Sequence, residues 1–240
     1  MYTIIGDVGS HEGQAQNIAN GPSLDGTGGV LRVTQDGQAV ANPPLVGGGG
    51  NASNAGESIN NPNPNSNMAK YYYAYGIRNS FGIAFDPVSG KLRDTENGPS
   101  NWGDEINLVD PGFNSRWNKI AGIWLAGGGP VAPLHPTNLV NFGGKGKYRS
   151  PEFSWFVHIA PTALTFLNSS KLGKQYENDM FVGDVLTGNL YNFELTADRT
   201  ELALTGPLAG KVAVNNTPTE IASVIFGKGF WCNNRSTSGT

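Results

Sequence analysis

Glycine and proline interrupt almost every stretch of this sequence that is long enough to form an amphipathic helix. The 240 residues include 34 glycines and 15 prolines, about a fifth of the chain, which exceeds ordinary usage. Between these interruptions, short apolar or alternating runs recur and end in Gly, Asp or Asn, as in YTIIGD, GGVLRV and FGIAFDPVSGKL. Such runs are typical of antiparallel strands joined by turns, so the sequence predicts an all-β protein.

A faint internal repeat narrows the fold class. The segments FGIAFDPVSGKLRDTENG and TALTFLNSSKLGKQYENDMFVGDVLTGNLYNFEL both run through a strand, a turn and a second strand. Repeated small sheets without intervening helices favour a β-propeller, although sandwiches share the same strand and turn statistics. We expect residues 1–230 to be part of one propeller of four-stranded antiparallel blades, with 231–240 a polar tail. Residues 42–67 and 126–148 are predicted to be long loops.

Charge and apolar patterning exclude two classes of partner. Charged residues make up 15% of the chain, the formal net charge is -3, and the Lys and Arg residues are scattered. This distribution gives no basic surface for a nucleic-acid backbone.

No apolar run approaches 18 residues, so no membrane span is expected, and no signal-like segment precedes the first strand. The single cysteine, Cys232, cannot form an internal disulfide and leaves the compartment open.

One polar segment, RNSFGIAFDPVSGKLRDTENGPSNWGDEIN, collects residues suited to an anion and a cation. Arg78 is a permanent cation with a planar fork of donors that can grip a carboxylate. Gly98 and Pro99 form a turn whose carbonyl oxygens can point outward, since proline has no amide hydrogen. Asp104 and Glu105 follow closely, and calcium takes carbonyl and carboxylate oxygens. The segment therefore predicts an anion site beside a calcium site.

Each of these features also has a purely structural interpretation. An arginine between strands commonly forms a surface ion pair, and Asn-Gly-Pro commonly forms a simple turn. An Asp-Glu pair in a loop is commonly solvated. The functional prediction therefore depends on the combination of residues within one segment.

That combination resembles the soluble quinoprotein sugar dehydrogenases, the PQQ-dependent glucose, aldose and sorbosone dehydrogenases with a six-bladed β-propeller. The matching motifs are GIRNSFGIAFDPVSGKL, then ENGP, DEIN and GFNSRW. Weaker matches are YTIIGDVG, HIAPTALTF, FVGDVLTGNLYNFEL and VIFGKGF, so the resemblance covers nearly all of residues 2–230. It implies PQQ and calcium as cofactors.

The resemblance also implies roles for individual residues. Arg78 and Asn79 match the cofactor-contacting pair, and the carbonyls of Gly98 and Pro99 match calcium ligands. Asp7, in GDVG, resembles the acidic residue that orients the catalytic base. Further cofactor contacts are expected from Asn97, Trp155 and His158, although a packed tryptophan and a hydrogen-bonded surface histidine are equally consistent with the sequence.

The reaction implied by the resemblance is oxidation of the anomeric C1 hydroxyl of an aldose, with hydride transfer to PQQ assisted by calcium and electrons passed to an external acceptor. Family members are commonly exported, so a periplasmic or extracellular location is expected.

The sequence departs from the family pattern at two positions. The catalytic histidine of the family precedes the segment matched by Asp7, and none of His11, His135 and His158 occupies that motif. Leu186 stands where relatives often carry a cofactor-binding lysine. The sequence therefore predicts an interior fragment of a propeller, without the general base and with little activity alone.

Two alternatives remain open on sequence grounds. The chain could be a non-enzymatic calcium-binding propeller that binds carbohydrate or a protein partner. It could also be a propeller hydrolase or lactonase that binds calcium without a quinone, a class that usually surrounds its metal with side-chain carboxylates and amides.

Overall fold

The computed structural model describes residues 1–9, 12–46, 67–123 and 139–230, and these form an all-β protein. Its helical elements are short 3-10 turns, at Gln14–Gln16, Asn67–Tyr71, Lys174–Tyr176, Gly206–Leu208 and Ala222–Val224. No α-helix occurs in these ranges, as the glycine and proline spacing predicted. None of the helical elements described is long and apolar enough to cross a membrane.

Fourteen strands are present in the described ranges. In chain order they are β1 (Tyr2–Ile5), β2 (Gly29–Arg32), β3 (Tyr72–Tyr75), β4 (Ser80–Phe85), β5 (Leu92–Glu96), β6 (Trp102–Val109), β7 (Phe113–Asn114), β8 (Lys147–Tyr148), β9 (Phe153–Val157), β10 (Pro161–Phe166), β11 (Met180–Asp184), β12 (Asn189–Phe193), β13 (Val212–Ala213) and β14 (Ile225–Lys228).

The strands form three small sheets of mostly consecutive antiparallel strands, as expected of propeller blades. The first sheet has the order β1-β2-β3-β7-β8, the second β13-β9-β6-β5-β4, and the third β10-β11-β12-β14. Only the third sheet has the predicted four strands. The other two sheets have five strands each and include the two-residue outer strands β7, β8 and β13. β7 runs parallel to β3 and to β8, and β13 runs parallel to β9.

The short outer strands are the elements that the sequence did not predict. β8 lies inside the predicted long loop 126–148, and β7 and β13 also have two residues each. A two-residue strand carries no periodic pattern, and its pairing is decided by the loop that brings it to the sheet edge. Residues 47–66 and 126–138 of the two predicted long loops lie outside the described residues.

Apolar side chains pack between neighbouring sheets. Residues of the second and third sheets form one core, which includes Ile106, Phe153, Trp155, Met180 and Tyr191. The first and second sheets share another core, which includes Val30, Tyr73, Leu92, Val109 and Phe113. The packed sheets hold the strand ends, and the loops that follow them, in fixed positions.

The face of the second sheet that meets the first sheet changes from apolar to polar along β5 and β6. Leu92 pairs across the strands with Val109, but the next pairs on the same face are Asp94 with Asn107 and Glu96 with Glu105. All of these side chains are buried. Buried polar groups need partners, and they concentrate at one end of this face, beside the loop that follows Glu96.

A buried ion-pair network joins the second and third sheets. Arg93, on β5, is bound by Glu152 through two hydrogen bonds of 2.6 and 3.2 Å. Arg199 follows β12 and pairs with Asp86, which follows β4. Arg93 also donates to the backbone carbonyl of Arg199 at 3.1 Å, so the two pairs are linked across the interface between the sheets.

Candidate active site

Loops from all three sheets meet at the polar end of β5. The amide of Asp7, after β1, donates to the carbonyl of Arg78 at 2.8 Å. The amide of Asn97, after β5, donates to the carbonyl of Asn79 at 2.7 Å. The side-chain amide of Asn97 donates to the carbonyl of Pro161, the first residue of β10, at 3.0 Å. Residues 7, 78–79 and 97, which the sequence had singled out, are therefore in one place.

Arg78 presents an uncompensated cation at this junction. Its Nη1 donates to the carbonyl of Asn97 at 3.0 Å, which places the guanidinium against the peptide group that leads into Gly98. Its Nε is buried without a hydrogen-bond partner, and no carboxylate of the described residues pairs with it. A buried donor without an acceptor costs free energy, so this position is suited to an anionic ligand.

Trp117 lies between Arg78 and Asp7. The guanidinium carbon of Arg78 is 5.3 Å from the centre of the Trp117 ring, within the range of a cation–π contact. On its other side, Nε1 of Trp117 donates to Oδ2 of Asp7 at 2.8 Å. The sequence motif ended at this tryptophan, but no role was predicted for it, because its two partners are distant in sequence.

Gly98 and Pro99 form the turn between β5 and β6. A Cβ at Gly98 would lie 2.0 Å from the carbonyl oxygen of Trp102, so no larger residue fits without movement of the backbone. The carbonyl of Pro99 accepts a long hydrogen bond of 3.4 Å from the amide of Trp102. No described group donates to the carbonyl of Gly98. These two oxygens are therefore available to a hard cation.

The side chain of Asp104 braces this turn. One oxygen accepts the amide of Gly98 at 2.8 Å, and the other accepts the amides of Ile159 and Ala160 at 2.6 and 2.8 Å. The carboxylate is buried and three backbone donors use its lone pairs. Asp104 thus connects the turn after β5 to the loop before β10, and this arrangement leaves little capacity for a metal ion.

Glu105 has its own partners, on a different face of β6. Its carboxylate accepts the amide of Gly122 and the hydroxyl of Ser115 at 3.4 Å, and one oxygen lies 3.8 Å from Nη2 of Arg116. Burial raises the pKa of Glu105, and the charge of Arg116 opposes that rise. The alternation of side chains along a strand separates Glu105 from Asp104, although the two are adjacent in sequence.

Glu96 is a buried residue whose role the sequence did not indicate. It accepts the amide of Arg78 and the hydroxyl of Ser115, both at 2.6 Å. Burial raises its pKa well above the ordinary value, and the neighbouring charges of Glu105 and Asp94 add to the rise. Through the first of these hydrogen bonds, Glu96 anchors the backbone of Arg78. The only sequence feature that pointed to Glu96 was its place at the start of the ENGP motif.

Trp155 and His158 occupy different environments. Trp155 is fully buried and packs against Phe153, Tyr191 and Phe193 in the core between the second and third sheets. Its ring offers no surface to a ligand, so its contacts are those of a core residue. His158 is half-buried in the loop braced by Asp104, and its amide donates to the carbonyl of Asn101 at 3.2 Å.

The Nδ1 of His158 is buried without a partner among the described residues. Leu186 lies beside the same loop, since its amide donates to the carbonyl of Ile159 at 3.2 Å, and its side chain is 46% exposed. An apolar side chain thus lies where a lysine was expected by resemblance. His11 and His135 lie outside the described residues.

A cavity of about 510 Å³ lies apart from these residues and is lined by Arg149, Glu152, Glu201 and Lys211, among others. Both of its cations already have acidic partners, Asp110 at 3.5 Å and Glu201 at 3.3 Å. Of the described cations at these two locations, Arg78 is the one without a carboxylate partner.

The sequence profile of one protein family, Glucose / Sorbosone dehydrogenase, matches residues 1–212. The chain belongs to the glucose/sorbosone dehydrogenase family. Two curated relatives illustrate the membership. A quinoprotein glucose dehydrogenase of Acinetobacter calcoaceticus is 34% identical over 136 residues, which are 51% of this chain and 24% of the relative. An aldose sugar dehydrogenase of Escherichia coli K12 is 30% identical over 131 residues, which are 52% of this chain and 33% of the relative.

Solved structures share the fold of this chain. A glucose dehydrogenase aligns with a TM-score of 0.59 at 22% identity, over 85% of this chain and 48% of that structure. The apo form of the soluble aldose sugar dehydrogenase of E. coli aligns with a TM-score of 0.56 at 22% identity, over 85% and 50%. The predicted β-propeller class is thereby confirmed. The chain spans about half the length of these solved relatives, and closure into six blades stays a prediction.

Proposed function

We propose that this member of the glucose/sorbosone dehydrogenase family contributes the PQQ and calcium site of a quinoprotein that oxidises the anomeric hydroxyl of an aldose. The observation that supports it most is the unpaired guanidinium of Arg78, held 3.0 Å from the carbonyl of Asn97, at the start of the Gly98–Pro99 turn. A cation next to available carbonyl oxygens suits a polycarboxylate ligand that carries its own metal ion.

The residues of the site fit the two groups to different degrees. Arg78 has donors free for a carboxylate of PQQ, and Asn79 and Asn97 are joined to it through the backbone. Gly98 and Pro99 have carbonyl oxygens that calcium favours. Asp104 and Glu105 have their oxygens engaged by backbone amides, Ser115 and Arg116. We therefore limit the proposed calcium ligands of this chain to the two carbonyls and give Asp104 a bracing role.

The chemistry follows from this arrangement. When bound, PQQ would accept the hydride and calcium would polarise the quinone. Arg78 would hold a carboxylate of the cofactor, and Asp104 would keep the Gly98–Pro99 turn fixed, so that little reorganisation is needed during the reaction. Asp7 would orient the group that removes the hydroxyl proton. That base is still predicted to lie outside this chain.

The isolated chain is expected to have little sugar dehydrogenase activity. Because the chain spans about half of its solved relatives, we infer that the complete site needs further blades, and that this chain alone binds cofactor more readily than it turns over sugar. Transfer of electrons to an external acceptor and an exported location belong to the same proposal.

Binding of PQQ tests the proposal without requiring turnover. Isothermal titration of the chain with PQQ in excess calcium should give saturable binding, and Arg78→Ala should weaken it by about tenfold or more, since a charge-assisted bidentate pair contributes about 1.5–3 kcal/mol. Arg149→Ala is the matched control, because Arg149 is a half-buried arginine that already has an acidic partner, Asp110. Equal weakening by both variants, or no binding by the parent chain, would contradict the proposed site.

A further inference from the structure

Trp117 connects the side chains of an acid and a cation that form no ion pair with each other. Its Nε1 donates to Oδ2 of Asp7 at 2.8 Å, and its ring lies 5.3 Å from the guanidinium carbon of Arg78. We propose that Trp117 is a positioning residue: the carboxylate of Asp7 fixes the indole, and the indole face fixes the guanidinium of Arg78 for an anionic ligand. This inference rests on the proposed function in so far as that anion is PQQ.

The backbone of Trp117 is already anchored, so only its ring remains to be fixed. The amide of Trp117 donates to the carbonyl of Gly76 at 3.0 Å, and its carbonyl accepts the side-chain amide of Asn17 at 2.8 Å. The side chain is half-buried, so packing does not enclose it completely. The hydrogen bond to Asp7 is the described polar contact that sets the orientation of the indole plane.

Arg78 needs such a support. The described contacts of its guanidinium are the hydrogen bond from Nη1 to the carbonyl of Asn97 and the Trp117 ring. One hydrogen bond leaves the plane of a long side chain free to rotate, whereas a second contact on the ring face fixes it. A fixed plane loses less conformational entropy when the fork binds a carboxylate.

This arrangement gives Asp7 an effect opposite to that of its charge. A carboxylate close to an anion site repels the anion, so its removal alone would strengthen anion binding. If Asp7 acts through Trp117, its removal instead loosens the indole and Arg78 and weakens anion binding. The sign of the change therefore separates positioning from simple electrostatics.

Four variants test the sign of this change in anion binding. Asp7→Ala, Trp117→Leu and their double variant form a double-mutant cycle, and Trp117→Phe is the fourth. We expect Asp7→Ala and Trp117→Leu each to weaken PQQ binding about threefold to tenfold, and Trp117→Phe, which keeps a ring under Arg78 but lacks the Nε1 donor to Asp7, to weaken it about as much as Asp7→Ala. In the Asp7→Ala/Trp117→Leu double variant, the Asp7 change should no longer weaken binding. Tyr148→Leu is the matched control, because it removes the ring beside another arginine, Arg116, 4.5 Å away.

Tighter binding by Asp7→Ala, or additive losses in the double variant, would overturn the positioning role. A readout without cofactor keeps this test apart from the proposed function. In ¹⁵N spectra of the free protein, the Nε–H resonance of Arg78 should shift in Trp117→Leu and Asp7→Ala but stay close to the parent value in Tyr148→Leu. If PQQ binds to no variant but these resonances shift as expected, the proposed function fails and the positioning role stands. If the Arg78 resonance is unchanged in Trp117→Leu and Asp7→Ala, the positioning role fails.

Discussion

The carboxylate of Asp104 accepts the backbone amide of Gly98 at 2.8 Å, so a side chain of β6 holds the turn that precedes this strand. The other oxygen of Asp104 accepts the amides of Ile159 and Ala160. A single buried side chain therefore connects the turn that carries the proposed calcium ligands to the loop that carries His158. The rigidity of the site comes from a residue that we do not expect to touch the ligand.

Replacement of Asp104 should lower both stability and cofactor binding. Asp104→Ala leaves one buried and two partly buried backbone amides without acceptors, and we expect the free energy of unfolding to fall by about 3 kcal/mol, as for lost charge-assisted hydrogen bonds. Urea denaturation measures this change. Asp36→Asn, at an exposed turn, should change the free energy of unfolding by less than about 0.5 kcal/mol. Similar values for the two variants would show that Asp104 does not brace the turn.

Gly98 should not tolerate a methyl group. In Gly98→Ala the new Cβ would lie 2.0 Å from the carbonyl oxygen of Trp102, so the turn must move, at a cost of about 1–3 kcal/mol. We also expect loss of any calcium-dependent stabilisation. Gly210→Ala is the control, since nothing lies within 4 Å of a Cβ at that position. Thermal unfolding with and without calcium measures both effects, and retention of the calcium response in Gly98→Ala would argue against these carbonyl ligands.

The buried pair of Arg93 and Glu152 should contribute far more to the free energy of unfolding than a surface ion pair does. Glu152→Gln leaves the fully buried guanidinium of Arg93 without its bidentate partner, and we expect a loss of about 3 kcal/mol in the free energy of unfolding. Asp110→Asn breaks the exposed pair with Arg149 and should cost less than about 1 kcal/mol. Equal losses in urea denaturation would mean that the buried pair is not a major stabilising contact of the second sheet.

Asp94 should make stability depend on pH. Burial, and then the charge of Glu105, raises the pKa of Asp94 to about 7, from an ordinary value of 3.8. The folded protein therefore holds this proton more tightly than the unfolded chain, so stability is lost as the pH rises from about 4 to 7, by about 1.4 kcal/mol per pH unit for one proton.

Asp94→Asn removes that titration. We expect the variant to lose less stability than the parent between pH 4 and pH 7, with a gain relative to the parent at pH 8. Denaturation curves at several pH values measure the slope, and Asp36→Asn provides the comparison at an exposed position. An unchanged slope in Asp94→Asn would show that Asp94 is ionised without penalty.

The sequence was informative where a residue acts through its own type and place in a motif. The strands that alternate or end in Gly, Asp or Asn were recognisable, and so were Arg78 and the Gly98–Pro99 turn, because their chemistry depends on a permanent cation and on a proline without an amide. The roles of Asp104, Glu96 and Trp117 were not recognisable. They depend on partners at Ala160, Ser115 and Asp7, which only the packing of three sheets brings close.

Local alternation explains another difference. Asp104 and Glu105 looked like one acidic pair in sequence, but successive side chains of a strand point to opposite faces, so each met different partners. Trp155 looked like a cleft residue by its position before His158. It lies inside a strand whose pattern of burial directs its ring into the core.

Thermal unfolding in four conditions, without additions, with calcium, with PQQ and with both, tests the proposed cofactor site most directly. At ligand concentrations about 100-fold above Kd, binding contributes about 2.7 kcal/mol, which for a chain of this size is a rise of about 5–10 °C in Tm. We expect that rise with calcium and PQQ together, and its loss in Arg78→Ala. An unchanged Tm with both additions, or the same rise in Arg78→Ala, would contradict the site proposed for this chain.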